Sequence, residues 1–337
     1  MSVLGLGRRG FVCTVLLTFG LVVGGCSEDK SRAPVAPEDA SRPPEDASRP
    51  PETTPSRDSG GDAVTTNPGG EGDAGEPTAT PPVEDDLPDG PIEWTTTIPL
   101  AIPAPRATIA SGDSVFFVGN SFFASWDRKL PDWVSAIGKQ VSPPIDIKTA
   151  SYIVPGNQKL SWFLKQPESQ AALKSRKFKV FVIQPEEREP VDDTANFKQA
   201  VRDWNKAIVA SGAKTMLFMT WDLSAEKGTT FFKRLATAFD EIGAELRIPV
   251  IPVGLIYDDC NKDPFPGQTA GSYWLTGGEL HQTETGSAVN AYATFAMLTG
   301  INPGGCAINA PNNTNSPEML QYLSNRTWRR VAIRLKQ

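Results

Sequence analysis

Val115-Phe116-Phe117-Val118-Gly119-Asn120-Ser121-Phe122 is the stretch on which the fold turns. Four contiguous apolar residues, aromatic or β-branched and without polar alternation, describe a strand buried on both faces, as in a parallel sheet. Gly119 breaks the run and permits a tight turn that sets the Ser121 hydroxyl above the sheet, ahead of a helix expected from near Asp127. Downstream, residues 145–150, 179–184, 215–220 and 249–253 read as further strands. Between them run amphipathic helices. Phe197, Ala200, Val201, Trp204, Ala207 and Ile208 fall at three- and four-residue steps after Asp193, an expected N-cap, and Gly212 can end that helix. Phe231, Leu235, Ala238, Phe239, Ile242 and Leu246 form a second stripe, and residues 287–298 a last helix. Strands alternating with helices predict right-handed crossovers and a three-layer α/β/α sandwich with a mostly parallel five-stranded sheet. No GxGxxG or Walker-type loop follows any strand, so nucleotide binding has no support.

Upstream of this domain the chain changes character. Arg8-Arg9, an apolar run over residues 11–23 and then Gly24-Gly25-Cys26 describe a charged n-region, a short h-region and a lipobox-like cysteine. Residues 1–25 are therefore expected to be a lipoprotein signal peptide and Cys26 the lipidated residue, with Ser27 after it pointing to the outer membrane of the cell envelope. Residues 26–95 follow as a linker. Between Ser27 and Thr95 there are 17 acidic and 5 basic residues, and the heptapeptide Pro37-Glu38-Asp39-Ala40-Ser41-Arg42-Pro43 recurs at once. Such a stretch cannot bury enough apolar surface to order itself, and its prolines and like charges keep it extended. Residues 96–337 carry 22 acidic and 26 basic residues. That mild surplus, without a Lys/Arg stripe, gives no case for nucleic acid. Cys260 and Cys306 remain as an even pair in an exported chain, and a disulfide between them is expected; two separate buried thiols are the alternative.

Ligands of a doubly wound sheet bind beyond the carboxyl ends of its strands, so the residues there carry the chemistry. Ser121 follows the first strand. Gly156-Asn157, with unobstructed backbone N–H groups, follows the second, and Gln184, whose amide can donate to a developing oxyanion, ends the third. His281, the only histidine in the chain, precedes the last helix. A serine hydroxyl needs a base to take its proton, and imidazole is suited to that near neutrality.

These residues resemble the SGNH (GDSL-like) hydrolases. Residues 116–122 are similar to the family's first block, with Asn120 where Asp is more usual. Val182-Ile183-Gln184 resembles a subgroup whose third block ends in glutamine. Residues 212–221 resemble the strand that follows, and Leu280-His281 through Gly286 and the alanine-rich helix resemble the fifth block. The resemblance implies Ser121 as nucleophile, His281 as base, and an oxyanion hole from the Ser121 N–H, the Gly156 N–H and the Gln184 side chain. It implies acyl transfer through a serine ester, with no metal and no cofactor. One position departs from the pattern. The family's aspartate, three residues before the histidine, is here Gly278, which leaves Glu279 as the candidate acid. The expected function is that of an extracytoplasmic serine esterase or deacetylase acting on a small-molecule or glycan ester, as a monomer. Trp126, Trp162, Trp221 and Trp274 are candidates to stack on a sugar. The alternative is a non-catalytic binding lipoprotein on the same fold.

Overall fold

A computed structural model describes residues 108–125, 128–304, 306–308 and 315–334. The expected signal peptide, Cys26, the linker, Trp126 and Asp127 lie outside these residues. Five strands build the sheet: β1 (Ser114–Gly119), β2 (Lys148–Ile153), β3 (Val180–Ile183), β4 (Lys214–Phe218) and β5 (Val250–Ile251). Their spatial order is 2-1-3-4-5 and every pairing is parallel. The second strand lies three residues later than its apolar content alone indicated. Its register explains this, since Lys148–Ile153 pair one for one with Ser114–Gly119, and Ile147 before them is buried against the core.

Successive side chains of a strand point to opposite faces, and this alternation divides the interior into two cores. Val115, Phe117, Val180, Val182, Met216, Phe218 and Ile251 face one side. Phe116, Val118, Phe181, Ile183, Leu217 and Val250 face the other. Full burial of a side chain such as Phe117 or Val118 contributes about 1.5–3 kcal/mol, so β1 cannot shift register without exposing both faces. The first side is covered by α1 (Leu130–Gly138), α7 (Val253–Lys262), α8 (Glu284–Thr299) and α9 (Pro317–Arg334). The second is covered by α2 (Leu160–Leu164), α3 (Pro167–Ser175), the short α4 (Glu189–Asp192), α5 (Thr194–Ala210) and α6 (Phe231–Leu246). The fold is thus a three-layer α/β/α sandwich, as the strand and helix pattern predicted. Among the described residues no helix is long and apolar enough to cross a membrane.

Several local expectations are corrected. Asp193 sits at the N-cap position of α5 but makes no capping bond; its carboxylate is taken by Lys159 and by the Asn196 amide. The first helix begins at Leu130, because a 3₁₀ turn (Ser121–Phe123) and a two-strand ribbon (Ala124–Ser125 with Arg128–Lys129) intervene after β1. Five helices, α2, α3, α4, α7 and α9, have no counterpart in the sequence reading, and two of them are held by specific contacts. One is α7, whose approach requires Gly254: a Cβ there would lie 2.1 Å from the Thr220 carbonyl oxygen. The other is α9, tied to α7 by a buried two-pronged ion pair from Arg330 Nε and Nη2 to Asp259 (2.9 and 2.6 Å). Cys260 and Cys306 are both buried free thiols, so the expected disulfide is not formed. Each sits among its own partners: Cys260 in α7 beside Tyr322 of α9, and Cys306 in the loop whose carbonyl accepts from the Tyr292 hydroxyl (2.6 Å). Burial pushes the Cys260 thiol up to about 12.

Removing one partner of a buried ion pair strands the other charge, at a cost on the order of 3–5 kcal/mol. Arg330→Met is therefore expected to lower unfolding free energy in urea by roughly that much. Adding Asp259→Leu is expected to restore most of the loss, and a double variant no more stable than the single one would refute the assignment.

Candidate active site

The sheet order creates one place where neighbouring loops leave in opposite directions. The chain after β1 turns toward α1 on one face, while the chain after the adjacent β3 turns toward α4 and α5 on the other. Such a switch point opens a crevice above the carboxyl ends of the strands, and Ser121 stands at it. Asn120 N-caps the 3₁₀ turn: its Oδ1 accepts from the Phe122 N–H (3.0 Å), and the Phe123 N–H donates to the Asn120 carbonyl (3.1 Å). The Asn120 N–H in turn donates to Gln184 Oε1 (2.8 Å). This pairing, rather than a left-handed turn, is why position 119 is glycine: a Cβ there would lie 2.4 Å from Gln184 Oε1.

Gln184 itself is fully buried, and its Nε2 donates to the Pro185 carbonyl. The structure thus has Gln184 fixing the backbone of the serine turn. The resemblance implied that its amide faces the oxyanion. A strand-end amide buried between two loop backbones bonds to those backbones instead. The two backbone groups expected as donors follow β1 and β2, which are neighbours in the sheet. The Ser121 N–H heads the 3₁₀ turn, and Gly156, with φ +116°, is exposed three residues past the end of β2. Among the described residues neither N–H donates a hydrogen bond. β2 is drawn to β1 beyond the sheet by the Val154 N–H on the Gly119 carbonyl (3.1 Å). Gln158, in the amide orientation that satisfies it, donates to the Pro155 and Gly156 carbonyls (3.3 and 3.2 Å).

His281 meets the serine from the loop between α7 and α8, with its Nε2 2.7 Å from Ser121 Oγ. Three contacts set the imidazole there. Phe122 packs edge-on against the ring, 5.4 Å between centroids at 86°. Trp221, at the end of the β4 strand path, stacks on Phe122 (4.4 Å) and on Tyr257 of α7 (4.8 Å), while its indole N–H donates to the Leu280 carbonyl (3.2 Å). Gln282, only 5% exposed, donates from Nε2 to the carbonyls of Phe122 and Ala124, both at 3.2 Å. Thr283 then caps α8 by accepting from the Gly286 N–H (3.1 Å), while both its hydroxyl and its own N–H donate to the Leu275 carbonyl. Gly286 is required by that crossing, since a Cβ would lie 2.3 Å from the Leu275 oxygen and 2.5 Å from the Tyr257 hydroxyl.

The candidate acid is not brought in. Glu279 is exposed, and among the described residues neither its carboxylate nor His281 Nδ1 makes a hydrogen bond. Gly277 and Gly278 both have positive φ (+60° and +80°), so the loop turns away before the histidine. Trp221, expected as a sugar platform, is fully buried in the stack, and Trp274 is half-buried with its indole N–H on the Cys260 carbonyl (3.1 Å). Trp162 is 37% exposed and lies parallel to Tyr152 of β2 at 6.5 Å. Asn120, Trp221 and Gln282 fix the Ser121 turn and the His281 loop, and sequence reasoning gave none of them that part. Asn120 and Gln282 adjoin Ser121 and His281 in the chain, and that adjacency was the available signal. Among the described residues no group of three His, Cys, Asp or Glu side chains is placed to hold a metal ion.

The loop after β3 adds an unusual charge arrangement. Glu186 lies beside the buried Glu187, with which it shares a hydrogen bond, and burial followed by the Glu187 carboxylate raises its pKa to about 7. The N–H groups of Glu189 and Arg188 on its Oε2 (2.7 and 3.0 Å) offset part of that shift. In the unfolded chain this carboxyl ionises near 4.5. Between that value and about 7 the folded chain therefore holds more protons, and stability falls as pH rises through the window. Glu186→Gln removes the ionisation. Melting temperature is expected to drop from about pH 5 to about pH 8 more steeply in the parent than in this variant. Equal slopes would rule out Glu186 as the source.

No family model matches the chain, and no curated protein matches it. Solved structures similar to it at low identity include an acetylxylan esterase from Geobacillus stearothermophilus, 12% identical with a TM-score of 0.47, over 58% of this chain and 98% of that one. A lipase/acylhydrolase from Enterococcus faecalis is 17% identical with a TM-score of 0.43, over 56% and 96%. A protein of Slackia heliotrinireducens assigned as an SGNH hydrolase is 17% identical with a TM-score of 0.43, over 54% and 97%.

Proposed function

We propose that this chain is a serine ester hydrolase of the SGNH type, with Ser121 as nucleophile and His281 as general base. The observation that carries the reading is the 2.7 Å approach of His281 Nε2 to Ser121 Oγ at the switch point of the sheet; the Ser121 and Gly156 N–H groups, which donate no hydrogen bond among the described residues, support it. Ser121 Oγ attacks the ester carbonyl carbon while its proton passes to His281 Nε2. The carbonyl oxygen becomes an oxyanion that the Ser121 and Gly156 N–H groups receive. Collapse of this intermediate expels the alcohol, which takes the proton from the imidazolium. Water, deprotonated by His281, then attacks the acyl-serine and releases the acid, restoring both residues. Gln184 serves through Asn120, and the imidazole works as a dyad partner without Glu279.

In this proposal the domain is carried on a lipid anchor at the cell envelope, on the outer membrane, and acts on a small-molecule or glycan ester; the lipobox-like Cys26 and the linker support the anchor, and Trp162 is the exposed tryptophan among the described residues that could meet a sugar ring. One observation favours the other reading, a non-catalytic binding protein: no carboxylate reaches His281 among the described residues.

Hydrolysis of an activated acetate ester by residues 96–337 separates the two. Ser121→Ala and His281→Ala are each expected to lower kcat by on the order of 10³-fold or more, and a fluorophosphonate is expected to label Ser121 alone. A parent domain no faster than these variants would sink the enzyme reading. Glu279→Gln is expected to leave kcat within about threefold of the parent, because the carboxylate touches neither reacting group; a loss on the order of 10⁴-fold would mark it as the acid of a triad.

A further inference from the structure

Behind the serine turn lies a cavity of about 10 Å³, measured as the space open to a water's centre and lined by Phe122, Phe123, Leu130, Trp133, Gln282, Ser287 and Asn290. Every one of these residues is buried. Three of them bring to it polar atoms with no hydrogen-bond partner among the described residues: Trp133 Nε1, Gln282 Oε1 and Asn290 Nδ2. They come from three separate segments, α1, the loop that carries His281, and α8.

Their orientations are fixed by what they bond on the other side. Gln282 must aim Nε2 at the Phe122 and Ala124 carbonyls, since both are acceptors, and this turns Oε1 toward α8. Asn290 Oδ1 accepts from the Tyr257 hydroxyl (3.1 Å), which leaves Nδ2 as the free end. The indole N–H of Trp133 can only donate. Two donors and one acceptor thus converge on a space of one water's size. A water has the matching complement, with lone pairs for Trp133 and Asn290 and a hydrogen for Gln282. A buried site that holds a water needs about 10–15 Å³ and two to four polar partners, and this one has both.

We propose that Trp133, Gln282 and Asn290 form a binding site for a single internal water, and that this water makes Gln282 the positioning residue that holds His281 against Ser121. The second half rests on the esterase reading; the first does not. Gln282 follows His281 directly, and its Nε2 bonds bridge 160 and 158 residues to the serine turn. With Oε1 bonded to the water, both ends of the amide are held, and the base loop cannot rock away from Ser121 without breaking bonds at each end. Trp133 and Asn290 extend the same clamp to the two helices beneath it.

The test combines a crystal structure of residues 96–337 at about 1.5 Å with kinetics of Gln282→Met, which keeps the volume and loses every bond, and of Trp133→Phe, which loses the indole N–H. One ordered water within hydrogen-bond distance of all three side chains is the expected density; an empty cavity, or the three polar atoms bonded directly to one another, would overturn the site. Gln282→Met is expected to lower kcat by on the order of 10²-fold, the effect of misplacing a reacting group by about 1 Å, with KM within about twofold, and Trp133→Phe to lower it less. A role in stability alone would lower the melting temperature and leave kcat at 25 °C unchanged, and that outcome would overturn the positioning role. If the parent hydrolyses no ester, the esterase reading fails, and the separation of Ser121 Oγ and His281 Nε2 in crystals of Gln282→Met still decides the clamp. Should Gln282→Met not fold, Trp133→Phe and the density in the parent carry the same decision.

Discussion

Ser121 and His281 are 160 residues apart in the chain, and the stack of Phe122 on Trp221 is the interaction that closes this distance. Phe122 belongs to the serine turn and presents its edge to the imidazole. Trp221 leaves the sheet beyond β4 and holds the Leu280 carbonyl, one residue from His281. The stack continues to Tyr257 of α7, whose hydroxyl reaches Asn290 of α8. A row of three buried rings thus connects the Ser121 turn, the end of a strand and two helices of one layer. Aromatic pairs of this kind contribute about 0.5–1.5 kcal/mol beyond the area they bury. Their geometric effect is larger than their energy: rings fixed on both faces leave the loop between α7 and α8 few ways to lie.

The same dependence explains the glycines at the site, which respond to contacts rather than to turns. Gly119 makes room for Gln184, Gly254 for the Thr220 carbonyl, and Gly286 for the Leu275 carbonyl and the Tyr257 hydroxyl. Each lies where a backbone segment from one layer passes against another near the carboxyl edge. A methyl group at any of them would displace backbone or a buried polar side chain, and so would move a residue bonded to the serine turn or the base loop. The positive-φ glycines, Gly156, Gly277 and Gly278, are on the exposed side, where the chain reverses over the crevice.

The parallel sheet was legible because β1 and β3 are apolar without interruption, and the amphipathic helices because α5 and α6 keep a clean stripe. The second strand was displaced because Lys148, Thr149 and Ser151 make it look polar, and only its pairing with β1 defines it. α9 went unread: its inward face includes Arg326 and Arg330, whose charges are neutralised by Asp263 and Asp259 of distant segments. Hydrophobic periodicity cannot show a buried ion pair. The Ser121 and His281 pairing was legible from position at the strand edge together with the family resemblance. Gln184 and Trp221 were misplaced for one reason, that a residue type names the bonds available to it and not which partner takes them. The amide that can serve an oxyanion serves Asn120, and the indole that can stack on a sugar stacks on Phe122.

The loop before His281 follows a closed path of its own that brings no carboxylate to the ring among the described residues. At Gly278 the backbone is left-handed and a Cβ would meet nothing within 4 Å, so it would point into open space. The loop is closed by its own turns: the Gly278 N–H on the Tyr273 carbonyl, the Glu279 N–H on the Thr276 carbonyl, and the Ser224 hydroxyl on the Gly278 carbonyl. An aspartate at 278 would therefore have a strained backbone and no neighbour within 4 Å of its Cβ. In a Ser-His-Asp triad the aspartate both orients the imidazole and stabilises its protonated form. Here Phe122, Trp221 and Gln282 perform the orientation with aromatic packing and neutral hydrogen bonds, and among the described residues no carboxylate is bonded to the ring. The geometry accordingly holds the imidazole in place through aromatic packing and neutral hydrogen bonds, the orienting task that a triad assigns to its carboxylate.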